Sequence, residues 1–253
     1  KALYNAIVTD GIHRVKEIIK EIDYPMMISI LFNAFTEGTY GDFIAEANNF
    51  GFDRVYSDSG GLQIVSRGMT ANTEAKQSVY KVQSRTDLAM CFDEIPVRNE
   101  RVASRLAYSD RVFIHDDLVK CAKMTAENVI EQIDAFRKFN SKTKVFFIVQ
   151  GNSISDMCEW FDVAVRTIPL DYWDHVGGLA IGGTCLGFGQ REDVEKIAVY
   201  RKIREEFGTE YTKKHLHILG VGATSRFEPI IILRNTGFIP TDTHISYDSS
   251  SLS

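Results

Sequence analysis

Five apolar segments of the chain end in acids, an amide or glycines, which can transfer protons and bind a polar ligand. These segment ends are Asp58-Ser59-Gly60-Gly61-Leu62-Gln63, Phe92-Asp93-Glu94-Ile95-Pro96, Val149-Gln150-Gly151-Asn152, Ala180-Ile181-Gly182-Gly183-Thr184 and Tyr247-Asp248-Ser249-Ser250. Each alone has a structural explanation, because Asp often begins a turn or caps a helix and a glycine pair often marks a tight turn. Gathered at one end of a sheet, three aspartates, a glutamine and a glycine pair would line a polar pocket suited to acid–base chemistry.

Seven short apolar segments alternate with amphipathic patterns, and this alternation predicts the elements that would carry those ends. The predicted strands are Met26–Phe32, Arg54–Ser57, Leu88–Phe92, Val145–Val149, Val176–Ile181, Leu216–Val221 and Ile245–Tyr247. The predicted helices follow Thr125, begin at Ser153, cover Glu192–Gly208, and begin at Ser225 with Gly237 as the stop.

Strand–helix alternation with nearly continuous apolar strands is typical of a parallel sheet. We therefore expect an α/β fold of the TIM (β/α)8 barrel type, in which the active site lies at the carboxyl ends of the strands. The alternative is an open doubly wound sheet. It is disfavoured because no G-x-G-x-x-G motif follows the first predicted strand.

The chain of 253 residues suits one barrel domain spanning residues 1–253. A charged segment at about 94–124 is longer than one connection needs, and we expect it to be an insertion over the active face. Its basic residues include Arg98, Arg101, Arg105, Arg111 and Lys120. Only Ser249–Ser253 follow the seventh strand, and the chain opens with Lys1 rather than Met. We therefore expect the chain to lack its first residues and to be incomplete at its C-terminal end, without an eighth strand unless a segment before Met26 closes the barrel.

The composition excludes several classes of protein. Hydrophobic residues make up 44% and charged residues 25% of the chain, which is unlike a disordered, collagen-like or coiled-coil protein. No apolar run reaches the roughly 18 residues of a transmembrane helix, so we expect no membrane partner. The net charge of -5 does not by itself indicate a nucleic-acid partner, although a local basic face is compatible with it. The sequence leaves open whether the protein is an oligomer.

The cysteines and histidines are too scattered to indicate a metal site. The four cysteines are Cys91, Cys121, Cys158 and Cys185, with no C-x-x-C pair, which favours a reduced, cytoplasmic location over a disulfide framework. His215 and His217 would share one face of a strand, but two ligands do not close a metal site. We expect no metal and no visible cofactor in this chain, and zinc stays open only for a C-terminal region beyond it.

Taken in order, the strand-end motifs resemble those of the tRNA-guanine transglycosylase superfamily. Asp58-Ser59-Gly60-Gly61-x-Gln63 is similar to the superfamily's signature and is the most specific match. The weaker motifs follow in the superfamily's order: Phe92-Asp93-Glu94, Val149-Gln150-Gly151, Ala180-Ile181-Gly182-Gly183 with Gly187-x-Gly189-Gln190, Leu219-Gly220-Val221-Gly222 and Tyr247-Asp248-Ser249-Ser250-Ser251. The resemblance covers roughly Met26 to Ser253. It implies a TIM barrel that replaces guanine in a polynucleotide by a 7-deazaguanine base.

The resemblance also implies a role for each matching residue. Asp248 would be the nucleophile that attacks the sugar carbon, and Asp58 would be the acid/base, as in a retaining glycosidase with a covalent intermediate. Asp93 and Gln150 would accept from and donate to the edge of the guanine ring. The other substrate-binding positions would be Ser59, Gly60, Gly61 and Leu62 of the first motif, Gly182, Gly183 and Thr184 near the carbonyl oxygen of the base, and Leu219 against its second face.

Departures from the superfamily bear on the substrate. Leu186-Gly187-Phe188 lacks the Glu with which tRNA enzymes bind an aminomethyl base, which favours a base such as 7-cyano-7-deazaguanine. The segment from Thr241 to Ser251 is more similar to the 7-deazaguanine DNA transglycosylase branch, so we favour DNA over tRNA as the polymer. The superfamily's Cys-x-Cys-x-x-Cys zinc cluster is absent from the chain.

Other interpretations remain open beside this one. The first is the same base exchange on tRNA, as in queuosine or archaeosine formation. A non-catalytic transglycosylase-like subunit is disfavoured because both Asp58 and Asp248 are present. An unrelated barrel enzyme is also disfavoured. A metal-dependent hydrolase would need His at the end of Met26–Phe32, and a Schiff-base lyase would need a strand-end Lys, whereas Lys144 lies at a strand start.

Overall fold

The computed structural model describes residues 16–17, 20–21, 29–34, 43–50, 52–60, 72–98, 112–113, 117–151, 153–182, 190–219 and 224–248. Within them, strands alternate with helices along the chain. The strands are β1 (Ser29–Asn33), β2 (Arg54–Asp58), β3 (Leu88–Met90), β4 (Val97–Arg98), β5 (Val112–Phe113), β6 (Lys144–Val149), β7 (Val176–Ile181), β8 (His215–Ile218) and β9 (His244–Tyr247). The helices are α1 (Phe43–Phe50), α2 (Thr73–Gln83), α3 (Leu118–Lys138), α4 (Ile154–Thr167), α5 (Gln190–Thr212) and α6 (Thr224–Asn235), with a 3-10 helix at Leu170–His175.

Seven of these strands form one sheet in the order β1-β2-β3-β6-β7-β8-β9. Every ladder between neighbours in this sheet is parallel. A helix lies between each pair of consecutive strands of the sheet, as the crossover connections of parallel strands require. The seven strands predicted from the sequence are all present, and the predicted α/β class is confirmed.

The sheet is curled, and the curl brings β2 close enough to β9 for residues at both ends of these strands to act on each other electrostatically. Four strands separate β2 from β9 in the sheet order, which in a flat sheet would place them about 24 Å apart. At one end, desolvation and then the charge of Asp248 raise the pKa of Asp58. At the other end, desolvation, Arg234 and then Arg54 lower the pKa of His244. The described strands thus form a half-barrel with helices, a shape compatible with part of a TIM barrel.

The helices pack in chain order, α2 on α3, α3 on α4, α4 on α5 and α5 on α6. Between helices and sheet lies an apolar core in which the rings of Phe147, Phe161 and Trp173 meet edge-on or tilted, with centroids 5.7 to 6.0 Å apart. Trp160 of α4 donates its indole N–H to the backbone oxygen of Ile148 in β6 at 3.0 Å. The helices therefore fix the strands whose ends carry the polar residues.

Two helix ends follow the sequence signals closely. Ser153 caps α4, because its hydroxyl oxygen accepts from the backbone N–H of Asp156 at 3.1 Å. Gly237 follows the end of α6 with a φ of 73°, a conformation that glycine adopts without strain. At its other end, α6 begins at Thr224, one residue before the predicted cap Ser225.

Two other helices extend beyond their predicted limits. The helix predicted after Thr125 is present as part of α3, but its predicted start is wrong, because α3 begins at Leu118, which is fully buried and joins the core. The predicted stop at Gly208 is confirmed as a break, because Gly208 has non-helical dihedrals, φ 75° and ψ 177°, and a second short helical segment continues from there to Thr212.

The charged segment at about 94–124 is described only in part. Its last residues form the start of α3, and β4 pairs with β5 in an antiparallel ladder. Residues 99–111, which carry Arg101 and Arg105, lie outside the described residues. The expectation that this segment covers the active face stays a prediction.

Gly178 of β7 occupies a position that has no room for a side chain. A Cβ atom there would lie 2.4 Å from the backbone oxygen of His215 in β8 and 2.4 Å from Cε1 of Phe146 in β6. Because the position is open, the Phe146 ring reaches across β7 and meets the His215 ring edge-on, with centroids 4.6 Å apart. Gly178 thus lets a side chain of β6 support β8, two strands away.

We expect Gly178→Ala to lower the free energy of unfolding by about 2–3 kcal/mol, because the added methyl group collides with backbone in a packed sheet. Urea-induced unfolding measures this loss. The matched control is Gly237→Asn, which should change stability by less than about 0.5 kcal/mol. At that position nothing lies within 4 Å of an added Cβ, and Asn tolerates the φ of 73°. Equal effects of the two substitutions would contradict the close approach at Gly178.

Candidate functional site

The carboxyl ends of five strands carry the polar residues and the glycine that the sequence singled out. Asp58 ends β2, Asp93 follows β3, Gln150 follows β6, Gly182 follows β7 and Asp248 follows β9. Because all five strands run parallel in one curled sheet, their carboxyl ends lie at the same rim. We refer to this edge of the sheet as the carboxyl rim.

Asp58 is held by the turn that follows β2. The backbone N–H groups of Ser59 and Gly60 donate to its carboxylate. Gly60 has a φ of 82°, which most side chains would disfavour. Desolvation and then the charge of Asp248 raise the pKa of Asp58 to about 6, against the two backbone hydrogen bonds and His217, which lower it. Asp58 therefore exchanges its proton close to neutral pH, as a general acid or base must.

Side chains of α2 and α3 hold the backbone on either side of Asp93. Asn128 of α3 donates its amide N–H to the backbone oxygen of Phe92 at 3.0 Å, and Thr125 Oγ1 accepts from the backbone N–H of Glu94 at 2.9 Å. Lys76 of α2 pairs with the Glu94 carboxylate at 3.4 Å. These contacts fix the segment after β3, so that Asp93 is directed to Gln150.

Asp93 and Gln150 form a buried hydrogen-bonded pair. Gln150 Nε2 donates to Asp93 Oδ2 at 2.7 Å, and both residues are at most 6% exposed. Desolvation raises the pKa of Asp93 to about 7; the hydrogen bond from Gln150 opposes this shift and the charge of Asp58 adds to it. Gly182 adjoins the pair, since a Cβ there would lie 2.6 Å from Gln150 Oε1. The rim thus presents a carboxylate, an amide and closely approaching backbone to a ligand.

The structure adds His217 to the rim, a residue that the sequence indicated only as half of an incomplete metal site. His217 Nε2 lies 3.2 Å from Asp248 Oδ1, and its Nδ1 lies 2.8 Å from Ser246 Oγ. His217 stands opposite Ser246 in the β8–β9 ladder, and Asp248, two residues further, lies on the same face. In the sequence, His215 and His217 are two residues apart, and so are Ser246 and Asp248, so each pair lies on one face of its strand. Only the register of β8 and β9 shows that the two pairs are neighbours.

Charges link the three aspartates into one cluster. The charge of Asp248 raises the pKa of Asp58, after desolvation, and the charge of Asp58 contributes to the raised pKa of Asp93. The surroundings of the carboxyls differ, since one accepts from backbone N–H groups, one from an amide and one lies against a histidine. Different surroundings let neighbouring carboxyls take different protonation states, which is what acid–base catalysis with a carboxylate nucleophile needs.

Four predicted site residues, Gly61, Leu62, Gly183 and Thr184, lie outside the described residues. Leu219 directly follows β8 and is half-buried, and its backbone N–H donates to the oxygen of Ile181 at 3.3 Å. Ser59 is fully buried beside Asp58. The predicted contacts of all these residues with a base stay predictions.

Features outside the rim are few in the described part of the chain. No group of three or more His, Cys, Asp or Glu side chains among the described residues is arranged to hold a metal ion. None of the described helices has the length and apolar composition of a membrane crossing. A cavity of about 470 Å³ lies between the 3-10 helix and the end of α5. Its lining residues are Leu170, Asp171, Trp173, Asp174, Glu210 and Lys213. Because these elements lead into β7 and β8, the cavity lies at the opposite end of the strands from the rim.

We expect Asp93→Asn to become more stable than the wild type as the pH rises from about 4 to 8, by on the order of 2–4 kcal/mol at the upper end. The folded pKa of about 7 exceeds the ordinary value of 3.8, so the unfolded chain loses this proton first and wild-type stability falls between the two values. Asn keeps the shape and can accept from Gln150, but carries no charge.

The difference between the variant and the wild type is measured by urea-induced unfolding at several pH values. The matched control is Asp171→Asn, whose carboxylate is 71% exposed and should show no such trend. A stability difference for Asp93→Asn that does not change with pH would contradict the burial of a costly charge at this position.

No model of a known protein family matches this sequence, and no curated protein sequence matches it either. The function of the carboxyl rim is therefore argued from the geometry around Asp58, Asp93 and Asp248 and from the sequence motifs that contain them.

Proposed function

We propose that this chain is a guanine transglycosylase, which replaces guanine in a polynucleotide by a 7-deazaguanine base. The observation that carries the proposal is the meeting of Asp58 and Asp248 from β2 and β9, one with a pKa of about 6 and the other against His217. The order of the strand-end motifs supports it independently. We also propose that the whole domain is a TIM barrel, of which the described half-barrel would be part.

In the first step, Asp248 attacks the sugar carbon that carries guanine. A bond forms between a carboxylate oxygen and C1′, while the C1′–N9 bond breaks and its electron pair passes to the base. Asp58, which is protonated part of the time near neutral pH, donates its proton to the departing guanine. The product is a covalent ester between the sugar and Asp248, with inverted configuration at C1′.

In the second step, the incoming base reverses this sequence. It gives its N9 proton to the ionised Asp58, and N9 attacks C1′. The ester bond breaks and its electron pair returns to the Asp248 carboxylate. The second inversion restores the original configuration, and both carboxyl groups regain their starting states.

Asp93 and Gln150 suit the edge of a guanine-like base. The N1–H and the exocyclic amine of guanine are donors that a carboxylate accepts, and the amide of Gln150 is able to donate to the neighbouring carbonyl oxygen. Hydrogen bonds from the base favour the ionised form of Asp93, so base binding and the loss of its proton would be coupled. Gly182 lets the Gln150 amide lie directly against the backbone, because a Cβ there would lie 2.6 Å from Gln150 Oε1.

We favour DNA as the polymer and 7-cyano-7-deazaguanine as the base. The first choice rests on the likeness of the segment from Thr241 to Ser251 to the DNA-acting branch. The second rests on Leu186-Gly187-Phe188, which offers no carboxylate to an amine. The target nucleotide would leave its base stack to reach the rim. The arginines of segment 94–124 would contact phosphates, which position a polymer without identifying it.

A base-exchange assay tests the proposed activity. Labelled guanine or labelled 7-cyano-7-deazaguanine is offered with double-stranded DNA, single-stranded DNA or tRNA, and we expect label in DNA. Asp248→Asn should lower the rate by at least about a thousandfold and Asp58→Asn by at least about a hundredfold, because they remove the nucleophile and the acid/base. Asp171→Asn, an exposed aspartate far from the rim, is the control and should keep full activity.

Each outcome of this assay decides something specific. Label in tRNA alone would overturn the choice of DNA and leave the base exchange standing. No label in any polymer, or full activity of Asp248→Asn, would overturn the proposed function.

The proposed role of Asp58 also predicts a pH dependence. With a pKa of about 6, the protonated fraction of Asp58 falls roughly tenfold per pH unit above that value. The rate of guanine release in a single turnover should therefore fall as the pH rises from about 6 to 8. The measurement follows free guanine after rapid mixing. Asp58→Asn should show a slower release without this slope, and an unchanged slope in that variant would assign the proton to another group.

A further inference from the structure

A series of hydrogen bonds crosses from β8 to β9 and ends at Asp248. His215 Nε2 lies 2.8 Å from Ser246 Oγ, and the same Oγ lies 2.8 Å from His217 Nδ1. His217 Nε2 then lies 3.2 Å from Asp248 Oδ1. We call His215, Ser246 and His217 the His–Ser–His network. It connects Asp248, the proposed nucleophile, to His215 at the start of β8.

Donation along the network runs in one direction when the His217 ring carries a single proton. An ionised carboxylate only accepts, so His217 Nε2–H donates to Asp248. In a neutral ring the other nitrogen accepts, so the Ser246 hydroxyl donates to His217 Nδ1 and its oxygen accepts from His215 Nε2–H. Desolvation lowers the pKa of His215 to about 3, which keeps that ring neutral with a single N–H. Each hydrogen-bond donor in the network is thus paired with an acceptor.

Packing holds the rings of the network in place. Phe146 meets His215 edge-on at 4.6 Å between centroids and lies 6.0 Å from the His217 ring, and His244 meets His215 at 4.4 Å. His217 is 1% exposed. The other described ionisable groups that act on the network are Asp58 of β2 and His244 of β9. A buried ring with both nitrogens hydrogen-bonded presents its N–H in one fixed direction.

We propose that His217, supported by Ser246, is a positioning residue that fixes the orientation of the Asp248 carboxylate for attack on the sugar carbon. The proposal rests on the proposed function, because it concerns the nucleophile of that reaction. The Asp248 side chain turns about two bonds, and a misplacement of about 1 Å can cost on the order of a hundredfold in rate. The N–H of His217 on Oδ1 limits that rotation and favours the ionised, nucleophilic form. His217 acts through Asp248 and does not itself meet the reacting atoms.

Three variants separate this positioning role from a purely structural one. His217→Phe keeps a ring of similar shape and removes both hydrogen bonds. His217→Gln keeps an amide N–H that is able to reach Asp248. Ser246→Ala leaves His217 in place and removes its support. His175→Gln changes a histidine of the 3-10 helix, at the other end of the strands, and is the matched control.

The first measurement needs no substrate. In protein labelled with 13C at the aspartate carboxyl carbons, the signal of Asp248 is followed against pH by NMR and identified by its absence in Asp248→Asn. We expect it to titrate at higher pH in His217→Phe than in the wild type. In His217→Gln and in the His175→Gln control it should titrate as in the wild type.

The second measurement is steady-state base exchange. We expect kcat to fall about 10- to 100-fold in His217→Phe with KM changed less than about threefold, because orientation and not binding is lost. His217→Gln should recover most of kcat, Ser246→Ala should lose roughly 3- to 10-fold, and the control should be unaffected. A merely structural role would move stability and KM without rescue by Gln.

The outcomes distinguish this proposal from the proposed function. An Asp248 titration that stays unchanged in both His217→Phe and Ser246→Ala overturns the positioning role, whether or not the wild type exchanges bases. If His217→Phe does not fold, Ser246→Ala carries the same test. A titration that depends on His217 in a protein without base exchange supports the network and overturns only the proposed function. A loss of kcat that His217→Gln does not restore also overturns the positioning role.

Discussion

The curl of the parallel sheet is the constraint on which the site depends. Asp58 and Asp248 end strands that a flat sheet would hold about 24 Å apart, too far for their charges to act on each other through water. Helices α2 to α6, packed in chain order against the sheet, and the core beneath them maintain the curved shape. A change in that packing would therefore alter the separation of the Asp58 and Asp248 carboxylates without any substitution at the rim.

Burial of acidic groups is the stability cost of this site. Asp93 and Asp58 both ionise less readily than in water because desolvation disfavours their charged forms. Asn128 and Thr125 bind the backbone on either side of Asp93, and Gln150 donates to the Asp93 carboxylate. The same low-dielectric surroundings strengthen hydrogen bonds to a bound base. The burial that lowers the stability of the fold would therefore raise the selectivity of binding.

The sequence predicted the strands and the rim because both depend on local patterns. Each strand is a short apolar run, and parallel order brings the strand ends that carry Asp58, Asp93 and Asp248 to one edge. The start of α3 was missed because charged residues interrupt its first turns, although Leu118 is buried. The place of His217 beside Asp248 was missed because it depends on the register of β8 and β9, which is a property of the assembled sheet.

Gly178 has a consequence for how this sheet can change during evolution. Phe146 and His215 belong to strands that are not hydrogen-bonded to each other, yet both occupy the space above this glycine. A larger residue at any one of the three positions takes volume from the other two, so the effects of substitutions there would not add. Such positions change together or not at all. Substitution of His215, the first residue of the network, therefore depends on Phe146 in β6, two strands away.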